Sequence, residues 1–233
     1  MSAEANNPPS RPECMAILGL LPPYTLDDVK AAYRVKVMEA HPDRGGDVAQ
    51  FLKIEDAYLQ AIEYVNFRGD RRGWIAGQVE PYLRQQEVAA EVERRGGKAE
   101  YEQTDWLKRS FGDGFAMLAE RLRVIRLRGT GADDAFLNYL GEMPKKTPYL
   151  IELDLAGGRI TDQGLPGLAH FEVLKRLNLA GTAVSEDGLR PVLETLSSLQ
   201  WLNLADTGIG WLSRWRLRRA FPNVEIVTES AAG

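Results

Sequence analysis

A phrase of leucines that recurs along the C-terminal half constrains this chain more than any other feature. Leu150, Leu153, Leu155 and Ile160 return as Leu174, Leu177, Leu179 and Val184, and again as Leu199, Leu202, Leu204 and Ile209. A weaker copy, Leu122, Ile125, Leu127 and Ala132, precedes them, and Phe221 to Val227 carries a last fragment. The starting leucines lie 28, 24 and 25 residues apart, a period that marks stacked supersecondary units. One such unit cannot bury its own leucines, so neighbours must stack to build a continuous core. Each phrase is followed by a residue able to cap a returning helical segment, such as Thr161 or Ser185.

Alternation along a strand sends successive residues to opposite faces. With the leucines inside, three outward columns emerge: Val124, Glu152, Arg176 and Trp201; Arg126, Asp154, Asn178 and Asn203; Arg128, Ala156, Ala180 and Ala205. The phrases resemble leucine-rich repeats over about Leu122 to Thr228, which implies an α/β solenoid with a concave strand face. Where that family often has asparagine in its inward turn, this chain has Thr130, Gly158, Thr182 and Thr207. Threonine is expected to accept backbone hydrogen bonds there. Tryptophan and arginine are enriched among interface hot spots. Arg176 and Trp201, with Arg126, Glu152, Asp154, Asn178 and Asn203, therefore form the expected protein-binding patch. A structural use of the second column, with its asparagines bonded to one another, is the alternative.

The N-terminal third has a different, helical period. Glu13 to Leu20 suits a short helix stopped by Pro22 and Pro23, and Thr25 is a candidate N-cap with Asp27 and Asp28 at the positive end of the dipole. Leu26, Val29, Ala32, Tyr33, Val37 and Ala40 then recur at helical spacing, as do Phe51, Ile54, Tyr58, Ala61, Ile62 and Val65. Between the two runs lie His41, Pro42 and Asp43, followed by Arg44, Gly45, Gly46 and Asp47. Proline disfavours helix in its predecessor, and the glycines allow a sharp turn. Two helices joined this briefly pack antiparallel.

From Glu13 to Trp74 these residues resemble the J-domain of DnaJ-type co-chaperones: Leu18 and Gly19, Ala32 to Arg34, the His41-Pro42-Asp43 triplet, Phe51, Ile54, Ala57 and Tyr58, and Asp70 to Arg72 opening a short final helix. The resemblance implies docking on a DnaK-type, seventy-kilodalton heat-shock chaperone and stimulation of its ATP hydrolysis. It implies that Asp43 engages a chaperone arginine while His41 and Pro42 fix the loop. Lys30, Tyr33, Arg34 and Lys36 complete the expected docking residues. Lys30, Arg34 and His41 fall on one side of the second helix, a cationic stripe thinned by Val35 and Glu39. Over Leu26 to Ala40 three acids balance three bases, so electrostatic steering should be weak.

The expected fold is thus an α-helical J-domain-like hairpin joined to an α/β leucine-rich-repeat solenoid with a helical cap. Its domains are 1–12, a flexible N-terminus; 13–75, J-domain-like; 76–121, a helical cap or connector; and 122–233, the repeats. In the connector, Trp74 to Arg95 reads as helix disturbed at Pro81. Lys98 to Glu102 reads as strand, and Asp105 to Gly112 and Phe115 to Leu122 as helical turns. Gly69 to Gly73 is a candidate hinge.

Charge and composition narrow the function. Residues 1–70 carry seven Lys and Arg against eleven Asp and Glu, while residues 71–121 and 122–233 each balance, unlike the basic footprint of a nucleic-acid binder. A single cysteine, Cys14, excludes an internal disulfide and a cysteine zinc cage, and favours a reducing compartment. Without a signal-like or membrane-spanning run, the expectation is a cytoplasmic protein with no membrane or nucleic-acid partner. His41 and His170 are the only histidines; neither has ligand-spaced companions, so no metal, cofactor or catalytic residue is expected. His170 should lie exposed on the back of a repeat, and Arg214, Arg216, Arg218 and Arg219 should form a solvated face. The expected function is a non-enzymatic adaptor that recruits the chaperone through one module and a client or partner protein through the other. The alternative is a repeat-based scaffold with a vestigial J-like hairpin.

Overall fold

The structure, a computed structural model, describes residues 11–102, 118, 120–142 and 149–228, and the side chain of Asp43 lies outside that description. It combines helices with one six-stranded sheet and divides into two units. The first comprises Met1–Gln78 with Thr104–Gly112, the second Val79–Gln103 with Asp113–Gly233. No helix among the described residues is long and apolar enough to cross a membrane.

In the first unit α1 (Glu13–Ile17), α2 (Leu26–Glu39) and α3 (Val48–Gly69) enclose a small core. The start of α2 is set by a capping box. The Thr25 hydroxyl accepts from the Asp28 N–H at 3.1 Å, and the Asp28 carboxylate accepts from the Thr25 N–H at 3.2 Å. Asp47 does the same for α3, accepting from the Ala49 and Gln50 N–H groups. Cys14, Met15 and Leu18 meet Val29, Ala40, Ile54, Ala57 and Ala61 in the interior. Burial pushes the Cys14 thiol up to about 11, which makes it a small apolar filler rather than a nucleophile.

The short final helix and the separate connector helix expected from the sequence are one element, α4 (Arg71–Arg94). Asp70 starts it, its carboxylate accepting from the Gly73 N–H at 2.9 Å and its carbonyl from Trp74 at 2.9 Å. The candidate hinge therefore falls largely within a capped helix start. Pro81 lies inside α4 without ending it. The expected helical turns at 105–112 and 115–117 lie outside the described residues, and Arg121 and Leu122 belong to a strand, not a helix.

The second unit is built on strands β1 (Lys98–Glu102), β2 (Arg121–Arg126), β3 (Glu152–Asp154), β4 (Arg176–Asn178), β5 (Trp201–Asn203) and β6 (Glu225–Val227), which lie side by side in chain order. β1 runs antiparallel to β2, and every later neighbour is parallel. Ile125, Leu153, Leu177, Leu202 and Ile226 stand in one register row, and all are buried. Between strands the chain returns through α5 (Asp134–Gly141), a 3-10 turn (Leu165–Leu168), α6 (Glu186–Thr195) and α7 (Trp211–Ala220). Val88 and Val92 of α4 join the same continuous core.

The returns are tied together by a repeating polar link. The Asp134 carboxylate accepts from the N–H and hydroxyl of Thr161 at 2.8 and 2.6 Å. Asp162 accepts from the N–H and hydroxyl of Ser185 at 2.7 and 2.6 Å. Glycine follows three residues after each capping residue because a Cβ at Gly164 or Gly188 would lie 2.5 or 2.3 Å from the incoming carboxylate. The link stops at Gly210, which has no hydroxyl to offer. Glu186, next in the series, turns instead to Arg190 at 2.9 Å and Arg216 at 3.1 Å.

Candidate functional site

Two places gather the residues singled out by the sequence, one in each unit. In the first, the bend after α2 is wound into a 3-10 turn, Pro42–Arg44. The Arg44 and Gly46 N–H groups both donate to the His41 carbonyl, at 3.0 and 3.1 Å, and the Gly45 N–H donates to Pro42 at 2.9 Å. Gly45 adopts φ +82°, and a Cβ on Gly46 would meet the Ala40 backbone at 2.3 Å. Few residues other than glycine could close this turn. His41 leans on α3, its ring edge-on to Phe51 at 5.5 Å. Pro42 is exposed, as are Lys30 and Arg34, whereas Lys36 is half-buried.

Tyr33 is placed differently from the other docking candidates. Its ring stacks on Tyr58 of α3 with centroids 4.0 Å apart, and burial, with Glu55 and Tyr58 beside it, raises its pKa. Its position in the helical period that defines the apolar face explains this: it holds the hairpin together.

In the second unit the register brings the columns into alignment. Val124, Glu152, Arg176, Trp201 and Glu225 form one row, and Arg126, Asp154, Asn178, Asn203 and Val227 the other. Arg126, Glu152, Asp154, Arg176, Asn178 and Trp201 line a pocket of about 140 Å³. Asn203 shares their row without lining it. Arg128 does line it; its place in the third column was the available signal.

Within this face Arg126 bridges Glu152, at 3.1 Å, and Glu100 of β1. Arg128 grips Asp154 through Nε at 2.7 Å. The Arg176 guanidinium lies over the Trp201 indole, 4.3 Å from its centroid, with Nε 3.6 Å from Glu152. Asp154, Asn178 and Asn203 accept from the backbone N–H two residues on, at Ala156, Ala180 and Ala205. Bonding of the asparagines to their own strand ends, rather than to one another, follows from the side chain's ability to mimic a turn. The inward threonines likewise act in the opposite sense to expectation: the buried hydroxyls of Thr182 and Thr207 donate to the carbonyls of Leu179 and Leu204 at 2.6 and 2.7 Å. At Gly158 no side chain fits, since a Cβ would lie 2.8 Å from that of Ala132.

Sequence reasoning also missed the outer side of α7. Trp211, Leu212 and Trp215 are exposed, Trp211 at 79%, where the preceding return carries Glu186, Asp187 and Arg190. The arginines of α7 are more than a solvated face. Arg214 donates to the Thr228 carbonyl, Arg218 to that of Ile226, and Arg216 pairs with Glu186. His170 is exposed. Among the described residues no group of three or more His, Cys, Asp or Glu is placed to hold a metal ion.

No protein-family model and no curated protein sequence matches this chain. Among solved structures, an LRR protein of Leptospira interrogans is similar over 35% of this chain, with 24% identity and a TM-score of 0.27. The similar region spans 26% of that protein's length.

Proposed function

We propose that the chain is a co-chaperone adaptor: a J-domain-like hairpin docks on a DnaK-type chaperone and stimulates its ATPase, while leucine-rich repeats bind a client or partner protein. The observation that carries the reading is the bend at His41, Pro42 and Asp43. The N–H groups of Arg44, Gly45 and Gly46 close the turn on the His41 and Pro42 carbonyls, and the helices on either side are separately capped at their N-termini. Such a turn holds its shape without a partner, so docking does not have to order it. Lys30 and Arg34, earlier on α2, are exposed cations. In this reading the Asp43 carboxylate meets a chaperone arginine, and the chain itself performs no catalysis. Holding chaperone and client on one polypeptide raises the local concentration of one near the other. The adaptor would work in the cytoplasm, where the ATP-driven chaperone and a reduced Cys14 coexist.

The test is single-turnover ATP hydrolysis by a DnaK-type chaperone with the full chain added. Wild type should accelerate hydrolysis, and Asp43→Asn should reduce that acceleration by about tenfold, the effect of losing roughly 1.4 kcal/mol at the contact. The charge balance of α2, with Val35 and Glu39 exposed where the family often carries cations, favours a second reading, a repeat-based scaffold with a vestigial hairpin. No acceleration, or equal acceleration by wild type and Asp43→Asn, would establish that scaffold reading instead.

A further inference from the structure

We infer that the arginine-lined pocket on the sheet face is a receptor for an acidic side chain of an extended protein segment, with Arg176 as its principal anchor. The inference rests on the reading of the repeats as an interaction module and names the chemistry of what they bind. Acids and bases are layered here. The side chains of Asp154 and Glu152 are 6% and 26% exposed, whereas those of Arg126, Arg176 and Arg128 are 35%, 50% and 67% exposed. Within the pocket these two carboxylates lie beneath the guanidiniums and orient them. At the rim Glu100, 53% exposed, covers Arg126, and Glu225 is exposed opposite Trp201, so the cationic surface offered to a partner centres on Arg176 and Arg128.

The three arginines differ in what they have left to give. Arg126 is shared between Glu100 and Glu152, and Arg128 is held by Asp154. Among the described residues Arg176 has Glu152 as its ion-pair neighbour, at 3.6 Å, longer than a hydrogen bond. A cation–π contact with the Trp201 ring restrains it instead. A guanidinium restrained against an indole can still donate its N–H groups to a carboxylate, with less side-chain entropy left to lose than a free one.

Size and charge select the ligand class. At about 140 Å³ the pocket is below the several hundred Å³ of pockets for cofactors and drug-sized ligands. One glutamate or aspartate side chain is the matching guest, and an apolar neighbour in the same segment can lie against the Trp201 ring. A nucleic-acid backbone is disfavoured, because residues 122–233 carry thirteen bases against thirteen acids and offer no extended positive track.

The experiment is a titration of the full chain followed by the Trp201 indole N–H resonance, assigned by its loss in Trp201→Phe. The probes are a blocked Ser-Gly nonapeptide carrying glutamates, the same peptide with glutamines, and a single-stranded DNA oligonucleotide of equal charge. The glutamate peptide should shift the resonance and bind at least about tenfold more tightly than its glutamine counterpart. Arg176→Gln should abolish that preference, Arg176→Lys should retain only part of it, and Arg159→Gln, an equal charge change elsewhere, should keep it. Equal binding of the two peptides, an unmoved Trp201 signal, or tighter binding of the oligonucleotide would overturn the assignment. No chaperone is present, so this outcome and that of the ATPase assay are read separately.

Discussion

Gln85 uses both ends of its buried amide on backbone. Its Nε2 donates to the Pro81 carbonyl at 3.3 Å, and its Oε1 accepts from the Leu122 N–H at 2.6 Å, beside the irregular step where β1 pairs with β2. Gln85→Leu keeps the bulk and orphans a buried N–H. It should lower stability by about 1–3 kcal/mol in urea denaturation, and a loss of only a few tenths would show that the bond is dispensable. A second residue-scale test concerns the turn that closes each leucine phrase. Gly129, Gly157 and Gly181 adopt φ of +66° to +69°, and Asp206 holds the equivalent place at 55°. A Cβ on Gly181 would meet only the Gly157 backbone, at an ordinary 3.6 Å. Gly181→Ala should therefore cost about 1–2 kcal/mol from backbone strain alone. A melting temperature equal to that of wild type would contradict this account.

At the scale of elements, Asp133 joins α4 to α5. It caps α5 by accepting from the Phe136 N–H at 2.8 Å and pairs with Arg95 at 2.7 Å. Burial works against its charge, yet the Phe136 N–H and the Arg95 guanidinium hold its carboxyl below the usual range. A carboxyl depressed in the folded state releases its proton more readily there than in the unfolded chain. Its contribution is complete above the ordinary carboxylate range, about pH 4, and disappears as pH falls through the lower folded value. Asp133→Asn should consequently show a smaller drop in melting temperature between pH 7 and pH 3 than wild type. An identical acid profile would place the sensitivity elsewhere, for instance at Glu91, whose carboxyl is lowered by Arg94 and Arg95.

At the scale of the molecule, the two cores share no buried residue among those described: Met15, Val29 and Ile54 belong to one, Leu153, Leu177 and Leu202 to the other. Ile54→Ala and Leu177→Ala each remove a buried branched side chain, a loss of about 2–5 kcal/mol. With Trp74 and Trp201 as separate local probes, Ile54→Ala should chiefly move the melting midpoint at the first and Leu177→Ala that at the second. If both substitutions shifted both midpoints equally, the units would melt as one cooperative block.

Much of the framework could be read from spacing, for a physical reason. Strand periodicity, helix periodicity and capping chemistry act over a few residues, so the rows ending in Trp201 and Asn203, the Thr25 and Ser185 caps and the bend at Pro42 were all legible locally. Tertiary packing decided the rest. The pairing of β1 with β2, the bonds of Gln85, the turning of Tyr33 onto Tyr58 and the layering of Glu152 and Asp154 beneath the arginines join residues distant along the chain. Their partners are chosen by which surfaces meet, and a sequence read from one end to the other carries that information only as the sum of its packing.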